Sequence, residues 1–182
     1  MVIQTLLQQQ VEITLIQVLF NYFFFFIMVI IMDDVVENIS AVQQFAKENN
    51  KNQTEKWFSL DEDHLFVDFC HKMIEIAKNP FDLSECIGYE FWTHNDTVPK
   101  DWHIDKDEQM QIKKGVTRFP LCSMVYYVEV EDLRGGKLHI EDDIIIPKTN
   151  RLVIFSPGKY HCVEPFLGKR TTYCLNPWSV KL

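Results

Sequence analysis

The chain has 182 residues, 47% of them hydrophobic and 13% aromatic, which suffices for one domain with a real core and is cramped for two. A formal net charge of −8, with no Lys or Arg cluster to offset it, argues against a nucleic-acid backbone as partner. Cys70, Cys86, Cys122, Cys162 and Cys174 form no C-x-x-C pair and are odd in number; this disfavours a zinc ribbon or disulfide framework and suits reduced thiols in an intracellular protein.

Residues 13–32, "ITLIQVLFNYFFFFIMVIIM", carry no formal charge over twenty positions. That is long enough to cross a bilayer as one helix, so this hydrophobic N-terminal segment, residues 1–32, reads as a single-pass membrane anchor on an otherwise cytoplasmic protein. Asp33 and Asp34 follow it where a cleaved signal peptide would show small residues, and orientation stays open because the first cation is Lys47. The competing reading is a translation start at Met28 or Met32, which would remove most of the run.

Residues 33–56 read as a helix and a polar linker: Val35, Ile39, Val42 and Phe45 recur at helical spacing before "ENNKNQTE". The folded domain then spans 57–182. Ser59 and Glu62 match a capping box, and Leu65, Phe66, Phe69, Met73 and Ile76 mark one face of a helix that Asn79-Pro80 stops. From Tyr89 the texture changes to short runs of β-forming residues, "YEFWTH", "LCSMVYYVEV", "GGKLHI", "RLVIFS" and "RTTYCL". Gly135-Gly136 and Ser156-Pro157-Gly158 punctuate them as turns, predicting an antiparallel sandwich or barrel with supporting helices.

Three triplets pair a histidine with an acid two residues on, which places both on one face of a strand: His94–Asp96, His103–Asp105 and His139–Glu141. Spacing cannot choose among them. The first runs into a turn before Pro99, and the third faces solvent if Leu138 and Ile140 face the core. His103 and Asp105 enter the β region and have a third partner in His161, at the head of the strand after "SPGKY". Two imidazoles and one carboxylate on one face of a metal leave the opposite positions open, the arrangement of mononuclear non-haem iron sites. Lys106, Asp107 and Glu108 read as the solvated loop beyond. Arg170 stands in an apolar strand where its charge needs a partner, and its planar fork suits a carboxylate; Thr172 shares its face.

In their order, His103-Ile104-Asp105, "SMVYYVEV", "GGKLHI", "RLVIFSPGKYHCVEP" and "KRTTYCLNPW" resemble the iron(II)/2-oxoglutarate-dependent dioxygenases, and within them the prolyl 4-hydroxylase group, over roughly residues 89–178. The resemblance implies a double-stranded β-helix, a jelly-roll barrel braced by helices. It implies that His103, Asp105 and His161 hold Fe(II). It also implies that Arg170 binds the distal carboxylate of 2-oxoglutarate, with Tyr127 and Thr172 assisting. Trp102 and Trp178 stand as pocket-mouth or packing residues.

The implied reaction consumes O2 and 2-oxoglutarate, releases succinate and carbon dioxide and hydroxylates a substrate, with ascorbate as reductant. A peptidyl proline is the substrate the resemblance favours; a free amino acid or other small molecule is the alternative, because substrate is read by loops such as 106–120. A nucleic-acid demethylase is disfavoured, since Arg170 is the last arginine of the chain. From another class, the rival is a non-catalytic, membrane-tethered β-barrel binding module. Oligomeric state is not encoded in these features.

Overall fold

The computed structural model describes residues 28–49, 56–95 and 98–182. Within them ten strands and three helices follow the chain in this order: β1 (Val29–Asp33), α1 (Ile39–Asn49), β2 (Lys56–Ser59), α2 (Val67–Ala77), β3 (Gly88–His94), β4 (Lys100–His103), α3 (Glu108–Lys114), β5 (Ser123–Gly135), β6 (Leu138–Ile140), β7 (Asp143–Ile145), β8 (Arg151–Phe155), β9 (His161–Val163) and β10 (Phe166–Trp178). The strands form a six-stranded sheet, β1-β8-β5-β10-β3-β2, and a four-stranded sheet, β4-β9-β6-β7. Every pairing between them is antiparallel. This is the double-stranded β-helix expected.

Alternation along the strands sorts the large sheet into two faces. Tyr126, Val128, Leu152, Ile154, Tyr173 and Leu175 point outward to the helices. Val125, Tyr127, Val153, Phe155 and Cys174 point inward and meet Leu138, Ile140, Ile145 and Val163 of the small sheet. The inward set forms the apolar floor of the barrel, and the site stands on it.

A bulge aims the inward face where β10 runs beside β5. Thr172 opposes Tyr127 but Thr171 opposes Glu129, so Val128 is the extra residue. The extra residue shifts the parity of β5, so that Tyr127 and Val130 both join the interior and oppose Thr172 and Arg170. Further along, Gly168 at φ +100° passes so close to Asp132 that a Cβ would lie 2.4 Å from its carbonyl oxygen. Only glycine fits there.

The brace is aromatic. Phe66 meets Phe91 at 4.8 Å and Tyr173 at 5.5 Å between ring centroids, and Phe69 of α2 meets Tyr126 and Tyr173 at 5.1 Å each. α1 adds Phe45, edge-on to Phe66 at 5.0 Å, and buries Ala46 in the same core. Both helices thus hold β5 and β10 rigid from behind.

The N-terminal boundaries depart from the sequence reading. Twenty residues of one helix over 13–32 do not form, because Val29–Asp33 is an edge strand paired with Arg151–Phe155. Asp33 receives a two-pronged bond from Arg151 at 2.7 and 3.0 Å and another from Lys148 at 2.9 Å, which hold its carboxyl well below the usual carboxylate range. The remaining apolar run, 13–27, lies outside the described residues. Among the described residues no helix is long and apolar enough to cross a membrane. A start at Met32 would delete most of β1, whereas a start at Met28 would keep it. Most of the "ENNKNQTE" linker, residues 50–55, also lies outside the described residues.

The capping box does not form either. Ser59 ends β2, which pairs with β3 as the far edge of the sheet, and α2 begins at Val67 after Phe66 with no side-chain cap. Leu65, assigned to the buried face, is exposed, while Cys70, Ile74 and Ala77 are buried instead. Strand pairing outweighed the local cap signal.

Between β2 and α2, His64 stacks on Phe58 with ring centroids 3.8 Å apart. Its Nδ1 accepts from the Phe66 amide at 3.2 Å, and its Nε2 lies 2.8 Å from the Tyr89 hydroxyl. Burial lowers its pKa below the ordinary 6.5, and a proton on Nδ1 would break the amide bond. The unfolded chain therefore takes that proton first, so this stability is fully present above 6.5 and is lost as pH falls through the lowered value. Thermal unfolding followed by circular dichroism is expected to show Tm dropping as pH falls below 6.5, with His64→Gln flattening the slope.

Candidate active site

The site lies at one end of the barrel, where β4 and β9 pair with His103 opposite His161. The two imidazoles are 4.2 Å apart between ring centroids. Asp105 follows two residues past His103, beyond the end of β4, and turns back so that its Oδ1 is 3.8 Å from His103 Nε2 and 3.7 Å from His161 Nε2. One donor atom from each residue lies within 4.8 Å of the others, the single cluster of this kind among the described residues.

Each histidine is oriented from behind. Nδ1 of His103 bonds the Asp101 carbonyl at 2.7 Å and Nδ1 of His161 bonds the Lys159 carbonyl at 3.0 Å. A carbonyl can only accept, so Nδ1 carries a proton in both rings and Nε2 is the atom each ring turns toward Asp105. Burial lowers the His161 pKa, which favours the neutral, ligating form. His161 is almost fully covered, whereas the His103 side chain keeps 46% of its exposure, so the cluster has one sealed side and one open side.

The three open onto a cavity of about 590 Å³ that also reaches Trp92, Ser123, Phe155, Arg170, Cys174 and Asn176. Burial pushes the Cys174 thiol up to about 12, so it stays protonated and does not compete as a ligand. Arg170 is buried, and among the described residues it has no ion pair with any acid. Its guanidinium sits 5.4 Å from the Tyr127 ring and 5.7 Å from the Phe166 ring. Arg170 Nε, Tyr127 Oη and Thr172 Oγ1 are all buried without a hydrogen-bond partner. Three polar groups left without partners on one inward face are costly to bury.

Comparison with solved structures finds the same architecture. A prolyl-4-hydroxylase from Pseudomonas putida superposes with a TM-score of 0.56 at 14% identity, covering 84% of this chain and 93% of that one. The chain has the prolyl 4-hydroxylase-like 2-oxoglutarate oxygenase fold. A viral collagen prolyl hydroxylase from Paramecium Bursaria Chlorella virus-1 gives 0.54 at 13% identity, over 82% of this chain and 90% of that one. A prolyl hydroxylase from Trichoplax adhaerens, in complex with a hypoxia inducible factor oxygen degradation domain peptide fragment, gives 0.54 at 14% identity, over 83% of each chain. No family model matches the sequence, and no curated protein matches it.

Within this prolyl 4-hydroxylase-like fold, His103, Asp105, His161 and Arg170 line one cavity, while Tyr127 and Thr172 pack beside Arg170 rather than on the cavity wall. The other triplets separate. His94 accepts from Trp92 Nε1 at 3.0 Å, with Asp96 outside the described residues, and His139 faces away from the core and bonds Glu164 at 2.6 Å. Glu141 sits in the turn after β6 and pairs with Lys159.

Of the two tryptophan readings, packing holds for Trp178, which is buried and donates to Glu90 at 2.8 Å; Trp102 stands exposed beside His139 at 6.2 Å, and Trp92 is the tryptophan on the cavity wall. Lys106 to Glu108 is no simple loop, since buried Asp107 accepts from the Met110 amide at 2.8 Å and starts α3. Ser123 was legible only by parity: it shares the inward face with Val125 and Tyr127 and donates to Asp105 Oδ2 at 2.7 Å.

Proposed function

We propose that the protein is an Fe(II)- and 2-oxoglutarate-dependent dioxygenase that hydroxylates a peptidyl proline. The carrying observation is the convergence of two imidazoles and one carboxylate beside an arginine with no ion pair among the described residues, all on one cavity. In this reading His103, Asp105 and His161 hold Fe(II), and the donor set fits: three ligands on one side, nitrogen and oxygen only, leave positions open for a co-substrate. Arg170 takes the distal carboxylate of 2-oxoglutarate, with Tyr127 and Thr172 supplying the orphaned hydroxyls.

When bound, the iron supplies oxidation by O2 coupled to decarboxylation of 2-oxoglutarate to succinate. The chain's own residues orient and shield. The apolar floor of Val125, Val153, Phe155 and Cys174 keeps bulk water from beneath the site, and the open flank at His103 admits the substrate. The likeness to a prolyl hydroxylase bound to a peptide supports a peptidyl substrate over a free amino acid. Ascorbate would restore iron oxidised without substrate turnover.

The test is succinate formation from 2-oxoglutarate by purified protein with Fe(II), ascorbate and a panel of proline-containing peptides, with oxygen incorporation read by mass. A +16 Da peptide product that requires 2-oxoglutarate supports the proposal. Absence of succinate, even in slow uncoupled turnover, would leave a binding module instead.

A further inference from the structure

The three converging ligands differ in what holds them. His103 and His161 are fixed by backbone carbonyls, which no substitution at those carbonyl positions removes. Asp105 is fixed by a side chain: Ser123 Oγ donates to Oδ2 at 2.7 Å. Ser123 is the first residue of β5, only 3% exposed, and belongs to the large sheet, whereas Asp105 follows β4 of the small sheet. This hydrogen bond ties the two sheets together at the site itself.

Its consequence is geometric. A carboxylate turns easily about its terminal bond, so either or both oxygens of Asp105 can present themselves to an ion. With Oδ2 occupied by Ser123, Oδ1 alone faces the two imidazole Nε2 atoms, at 3.8 and 3.7 Å. Cys174, which lines the same cavity, is a protonated thiol and only a weak donor.

We propose that Ser123 is a positioning residue that keeps Asp105 a one-oxygen ligand and so keeps a coordination position on the metal free. This rests on the metal-binding reading of His103, Asp105 and His161. Loss of the hydroxyl frees Oδ2 to bind as well, which changes the coordination of the ion besides weakening the ligand's orientation. Partners that hold a ligand in this way typically account for about 10- to 100-fold in metal affinity.

Co(II) added to the full chain, with neither co-substrate nor substrate, reads both effects through its visible absorption. Wild type and Ser123→Thr are expected to bind with the same spectrum and with affinities within about threefold. Ser123→Ala is expected to bind about tenfold more weakly or worse and to show a shifted spectrum of different intensity, with its far-UV circular dichroism intact. If Ser123→Ala fails to fold, Ser123→Cys fills the same space with a weak donor and carries the comparison. A Ser123→Ala or Ser123→Cys protein with wild-type affinity and spectrum overturns the proposal alone. Failure of wild type to bind, or undiminished binding by Asp105→Ala, overturns the metal reading beneath it.

Discussion

Asp105→Ala is expected to abolish iron binding and succinate formation together, with metal affinity falling by more than about 100-fold. Of the three converging ligands Asp105 alone is an anion, and its Oδ1 is the corner shared by both imidazoles. Without it a dication would meet two imidazoles and no anion, one of them the buried His161, where an uncompensated charge is expensive. Asp105→Glu moves the carboxyl by a methylene and also breaks its bond to Ser123, so it restores little. Asp105 lies outside the β4 ladder and contributes to no core cluster, so the variant should still unfold in one cooperative transition, at a Tm lowered by the loss of its bond to Ser123. Calorimetric titration with Fe(II) under nitrogen measures the first effect and a thermal melt the second. Metal binding by Asp105→Ala at wild-type affinity would dispose of the assignment.

How far the sequence disclosed this site depends on the kind of order involved. Five strand runs from Tyr89 onward were legible because alternation and β-forming residues coincide there, and their order carried His103, Asp105, His161 and Arg170 to one cavity. Inward and outward faces were legible too: Tyr126 and Tyr127 separate as parity requires. What stayed hidden was tertiary. β2, β4 and β7 are three or four residues long and exist only because a partner strand lies beside them. β1 is apolar throughout its first four residues and reads as a membrane run until its pairing with β8 is known. The bulge at Val128 has no local signature, and neither does the bond from Ser123 to Asp105 across the two sheets. Ser59 illustrates the converse, a strong local cap signal overridden by strand pairing.

Arg170→Met is expected to separate function from stability in opposite directions. In the unliganded protein Arg170 is 6% exposed, its guanidinium faces two rings and it has no acid partner among the described residues, so folding buries a charge with only partial compensation. Methionine matches the length of the stem, is unbranched and leaves no charge to bury. Replacing such a buried ionic group by an apolar one of similar size often stabilises by ~1 kcal/mol or more. For a chain of this length that corresponds to a rise in Tm of about 2–4 °C. Ligand binding moves the other way. If Arg170 grips the distal carboxylate of 2-oxoglutarate, its removal leaves that carboxylate buried and unpaired, at a cost of about 3–5 kcal/mol, and the KM for 2-oxoglutarate rises by at least about 100-fold. Co(II) affinity should be unaffected, because Arg170 is not among the three converging ligands. Melting curves with and without 2-oxoglutarate, together with the KM from succinate release, measure both arms. A variant that lost stability and kept its KM would show Arg170 to be a packing residue of the barrel and the co-substrate carboxylate to be held elsewhere.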